Sequence, residues 1–180
     1  MPRVEEEDPG SGLFPLLMAA QNGHQECVQL LLSAQADPQQ EKNGLPLVRA
    51  AQNGHDLCVK LLLDARAEAA RSDQQGIFPL LVAAQNGHQR CLQLLVASEA
   101  DPAQVNPANG SYPLAMAAQN GHHLCVEDLL KLRANPSQTN ELRGTFPLLL
   151  AAKNGHEHCV KHLISAGCEP LDAKRASDFR

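Results

Sequence analysis

One hexapeptide, Ala-Ala-Gln-Asn-Gly-His, constrains what this chain can become more than any other feature. It stands at residues 19–24 and returns intact at residues 50–55, 83–88 and 117–122. A fifth copy at residues 151–156 carries Lys153 in place of the glutamine. Three residues beyond each histidine comes a cysteine: Cys27, Cys58, Cys91, Cys125 and Cys159. The copies are spaced by 31, 33, 34 and 34 residues. Self-similarity at such a period marks units that stack in a line, each touching only its neighbours.

Each unit follows one plan. Pro15 suits the first turn of a helix and pushes Phe14 out of helical geometry. Leu16, Leu17, Ala19 and Ala20 supply an apolar stripe with small members, and Asn22-Gly23 stops the helix after about two turns. A second helix is expected over residues 25–34, with Cys27, Val28, Leu30, Leu31 and Leu32 on a wide apolar stripe. Asp37-Pro38 opens a turn, and residues 39–43 form a polar connector. The later units repeat this plan from Leu45-Pro46, Phe78-Pro79, Tyr112-Pro113 and Phe146-Pro147. Isolated helices this short are marginal in water, so stacking is the available remedy. Residues 1–11 are acidic, then rich in turn formers, and are expected to be a disordered leader.

Five copies in register resemble the ankyrin repeat family, over nearly the whole chain. The residues carrying the resemblance in the first unit are Pro15-Leu16, Ala19-Ala20, Gly23-His24, Leu30 to Leu32 and Ala36-Asp37, and the other units match similarly. The family pattern has a Thr before the proline and a His three residues on. Here the first position holds Phe14, Leu45, Phe78, Tyr112 and Phe146, and the second Leu17, Val48, Leu81, Ala115 and Leu149. An apolar pair thus replaces a polar link in every unit. Losing an N-cap costs about 1 kcal/mol, and burying a Phe or Leu returns about 1.5–3 kcal/mol, so an apolar, aromatic-rich seam is expected along the stack. The resemblance implies an all-α solenoid of five stacked helix-turn-helix units with projecting hairpin or loop connectors. The units are expected at residues 12–43, 44–75, 76–109, 110–143 and 144–169, with residues 170–180 a tail or an incomplete sixth repeat.

The His-x-x-Cys pairs invite a metal reading. One pair supplies two of four ligands, and the next lies a helix spacing of about 8–10 Å away, too far for bonds of about 2.0–2.3 Å to one ion. No metal or cofactor is therefore expected. The cysteines are expected to be small buried hydrophobes, with Cys168 the most exposed thiol, and the histidines to help cap the second helix or the turn before it. His123, His158 and His162 are expected on solvated faces. Chemistry-bearing residues recur identically in every unit, whereas an active site is a single asymmetric constellation, so no enzyme is expected. A net charge of −5 with dispersed Arg and Lys leaves no nucleic-acid footprint. No apolar run reaches membrane-spanning length, and the amino terminus lacks a signal-peptide core. A monomeric protein of the cytoplasm or nucleus is expected.

By the same resemblance, a protein or peptide partner binds the concave face. The first helices would contribute Gln21, Asn22, Gln52, Asn53, Gln85, Asn86, Gln119, Asn120, Lys153 and Asn154. The connectors would add Lys42, Asn43, Gln74, Gln75, Asn109 and Arg143. This is a nearly uncharged ladder of amides, each able to donate and accept. The other functions open at this point are a substrate-recruiting or targeting part of a larger enzyme or ligase, and a structural spacer.

Overall fold

A computed structural model describes residues 14–168. The acidic leader and the tail expected at residues 170–180 lie outside the described residues. Within them the fold is all-helical, with ten helices in five pairs and one isolated bridge between Asn140 and Thr145. The first helices of the pairs are α1 (Pro15–Gln21), α3 (Pro46–Asn53), α5 (Pro79–Asn86), α7 (Pro113–Asn120) and α9 (Pro147–Lys153). The second helices are α2 (Gln25–Ser33), α4 (Asp56–Asp64), α6 (Gln89–Ala97), α8 (His123–Lys131) and α10 (Glu157–Ser165). Each helix packs on its pair-mate and on its counterparts in the adjoining units. The result is two parallel layers of helices along one stack, joined by a single continuous apolar core.

Every first helix opens on a proline, and none of the ten is capped by a side chain at its N-terminus. The residue before each proline is extended, as the ring requires. There Phe14, Leu45, Phe78 and Tyr112 are buried, while Phe146 is half-buried against the same core. The seam of apolar residues therefore runs through units one to four, where Leu17, Val48, Leu81 and Ala115 are also buried, and it exchanges a hydrogen bond for buried area, whereas Leu149 of the fifth unit is exposed. Tyr112 keeps its polar end satisfied, because its hydroxyl donates to the Gln138 carbonyl of the following connector.

The outer layer is held by a cysteine, the residue after it and a leucine one turn on. Cys58, Val59 and Leu62, then Cys91, Leu92 and Leu95, then Cys125, Val126 and Leu129 are all buried. Burial pushes the thiols of Cys91 and Cys125 up to about 12, so both stay protonated and inert. Two cysteines depart from expectation. Cys27 is exposed, because no unit among the described residues covers that side of α2. Cys168 is buried at 3% exposure, its Sγ directed at the Pro136 carbonyl at 3.4 Å, because the chain after α10 folds back onto the preceding connector.

The second helices end in a left-handed residue, with the next amide bonded back to the carbonyl five residues earlier, as Ala67 to Leu62 at 2.9 Å. The family pattern places glycine at the left-handed position. Here four units carry Gln35, Arg66, Glu99 and Arg133, at φ of 63–67°, and only the fifth has glycine there, Gly167.

Two stability outcomes follow. Phe78→Thr leaves a void at a fully buried site and strands a hydroxyl, and should destabilise by about 3–5 kcal/mol in denaturant unfolding; an unchanged midpoint would overturn the seam. Arg66→Gly relieves a left-handed side chain and should stabilise by about 0.5–1 kcal/mol in the same assay.

Candidate functional site

The repeated hexapeptide builds the joint between units. In units one to four the backbone carbonyl of the glutamine in the last turn of the first helix accepts two hydrogen bonds from the next unit. Gln21 accepts from Asn53 Nδ2 at 2.9 Å and His55 Nε2 at 3.1 Å. Gln52 accepts from Asn86 and His88 at 2.8 and 3.0 Å. Gln85 takes Asn120 and His122 at the same two distances, and Gln119 takes Asn154 and His156 at 2.7 and 3.0 Å. A carbonyl only accepts, so each histidine carries its proton on Nε2. This corrects the expected capping role: His24, His55, His88, His122 and His156 stand at helix N-termini, but no imidazole among them caps its own helix there. The glycine of the motif makes room for the ring. A Cβ on Gly87 would lie 2.5 Å from His122 Nδ1, and its φ of +76° already disfavours a side chain.

The connectors form a second ladder that sequence reasoning missed. Asn106 and Asn140 are buried in polar turns. Their Oδ1 atoms accept from Ala108 and Leu142 backbone amides at 2.8 and 3.0 Å. Their Nδ2 groups donate to the Gln75 and Asn109 carbonyls of the preceding connector at 3.2 and 3.0 Å. Asp73 makes the same turn, accepting from Gln75 and Ile77 amides, but has no amide to reach back. The available signal was a polar residue three or four positions before the connector glycine, recurring in three units.

Between the first helices and the connectors of units two to four runs a groove with a cavity of about 250 Å³. Ile77, Leu81, Val82 and Met116 give it an apolar side, and Gln52, Gln75, Gln85, Asn86 and Asn109 line it with polar groups. Five residues expected at a partner surface therefore meet here. Of the others, Gln21 and Gln119 are half-buried along the same row of helix ends, and Asn22, Asn53, Asn120, Lys153 and Asn154 are exposed on it. Lys42, Asn43, Gln74 and Arg143 are exposed on connectors. The asparagines of units two to five have their Nδ2 groups committed to the fold, and Asn22 bonds the Met18 carbonyl of its own helix at 2.9 Å. The glutamines engage the fold through their backbone carbonyls, Gln52 in addition through Oε1, which accepts from Arg49, whereas the Gln85 side chain is exposed at the groove.

On the outer layer the His123 ring lies 5.3 Å from His158 and 6.3 Å from His162, the latter pair stacked. His158 is exposed and the other two are half-buried, so these rings shelter one another in part. Among the described residues no three His, Cys, Asp or Glu side chains are placed to hold a metal ion, and no helix is long and apolar enough to cross a membrane.

A protein-family model described as ankyrin repeats, in three copies, matches residues 2–73, 47–140 and 80–174. Comparison with curated proteins gave no match.

The joint carries a pH dependence. Burial holds His122 below its ordinary value of 6.5, with the neighbouring His88 and His156 adding to the effect. The unfolded chain then binds a proton more readily than the folded one. Stability is retained above about pH 6.5 and declines as pH falls below it, through the folded value. Thermal melts from pH 7.5 to 5 should show this slope, and His122→Gln should flatten it while lowering the midpoint at neutral pH.

Proposed function

The chain belongs to the ankyrin repeat family, and on that premise we propose that it is a non-catalytic interaction module that binds a polypeptide along its concave face. Ankyrin repeats are protein-interaction modules in general, and stacking of such units leaves an extended concave surface for the purpose. The proposed repeats run over residues 12–43, 44–75, 76–109, 110–143 and 144–169. The protein works as a monomer inside the cell, consistent with free thiols at all six cysteines.

The groove across units two to four carries this reading. Three consecutive units contribute to one depression, and a segment laid along it meets both apolar and amide groups. Glutamine side chains are its natural contacts. The paired Asn and His are held by the stack, so substituting them disturbs folding before it disturbs recognition.

The test is affinity purification from the native source, followed by measurement of the recovered partner's affinity. Replacing Gln52, Gln85 and Gln119 together by alanine should weaken binding about tenfold or more, as loss of several interfacial hydrogen bonds implies, with little change in melting temperature. An affinity equal to that of the parent chain would overturn the assignment of the concave face.

A further inference from the structure

The fourth residue of each first helix repeats along the stack, and this row is Met18, Arg49, Val82, Met116 and Leu150. Three consecutive members, Arg49, Val82 and Met116, line the same cavity. One cation thus replaces an otherwise apolar row. The guanidinium is held rather than free: Nη1 donates to Gln52 Oε1 at 3.0 Å and Nη2 to the Asn43 carbonyl at 3.3 Å. Both acceptors are neutral. A Cβ on Gly44 would come within 3.0 Å of Arg49 Nε, so a glycine in the first connector leaves the space the guanidinium occupies. Asp73 also lines the cavity, with one carboxylate oxygen already accepting two backbone amides.

The charge of the two layers differs in the same sense. The five first helices contain Arg49 and Lys153 and no acidic residue. The second helices carry Glu26, Asp56, Asp64, Glu127, Asp128 and Glu157 against Lys60, Arg90, Lys131 and Lys161, so their balance is acidic. In a chain of net charge −5, the first helices thus give the groove a floor of the opposite sign, with Asp73 the acidic residue lining the cavity, and an oriented Arg offers a carboxylate a charge-assisted pair.

We propose that the groove recognises an extended peptide that sets an Asp or Glu side chain on Arg49 and two apolar side chains over Val82 and Met116. The spacing follows from the stack. Packed helices lie about 8–10 Å apart, and a segment in the extended polyproline II conformation rises about 3.1 Å per residue with three residues per turn, so each unit is crossed in about three residues and every third side chain faces the groove. The motif is an acidic residue with apolar residues at the third and sixth positions from it. This rests on the concave-face reading above and adds the chemistry of the partner.

A random decapeptide display selection on the full chain tests it, run in parallel on Arg49→Glu. The parent chain should enrich the acidic, apolar, apolar pattern at three-residue spacing, and Arg49→Glu should enrich Lys or Arg at the acidic position. A fluorescein-labelled peptide from the first pool should bind Arg49→Gln about tenfold more weakly, and the difference should vanish when its acidic residue is changed to Gln. Far-UV circular dichroism melts establish that both variants are folded. Peptides whose binding is lost in Gln85→Ala, but whose selected charge ignores residue 49, would overturn this proposal and leave the concave face standing. A selection yielding no peptide sensitive to any groove substitution would overturn both.

Discussion

Everything in this protein depends on one backbone carbonyl per unit being handed to the next. A helix of two turns has too few internal hydrogen bonds and too little buried surface to persist alone. The last carbonyls of such a helix have no partner within it. Here the glutamine carbonyl receives an amide and an imidazole from the following unit, so the orphaned end of one helix becomes the anchor for the next. The glycine beside it is bare, so the ring can lie close. Helix termination, unit spacing and direction of stacking thus share one four-residue stretch.

Around that joint the remaining choices are apolar. The residue before each proline, commonly a hydroxyl that caps the helix, is a large hydrophobe packed on the core, and the cysteines after the histidines of units two to five pack as small aliphatic groups. Burial holds His122 below its ordinary value, and the neighbouring His88 and His156 add to the effect. An ionised row would place like charges at every joint. The polar groups that survive inside, Asn106, Ser111 and Asn140, belong to connectors, where two of them bridge successive turns.

Much of this was legible in the residues. The period, the short helices and their stops come from Pro15, Asn22-Gly23 and their equivalents, which act through local backbone geometry. The burial of Cys58, Cys91, Cys125 and Cys159 follows from helical spacing. What periodicity did not reveal was direction. His55 and Asn53 are local neighbours of a helix start, and only the stack shows them reaching 34 and 32 residues back to Gln21. The buried state of Cys168 has the same origin, since it depends on a connector 32 residues earlier. At the groove, the amides were visible as a pattern, but their division between fold and surface was not. Nor did the sequence pattern single out Arg49, which is notable only beside Val82 and Met116 across two neighbouring units.

Because every joint is made from the same parts, the seam between units one and two is chemically interchangeable with that between units four and five. Excising a whole unit, or copying one, would bring a familiar amide and imidazole to a familiar carbonyl and require no new fit. Such a chain can change its length in whole layers during evolution. Each added or lost layer would lengthen or shorten the groove that runs along the first helices, while the joints themselves stay constant.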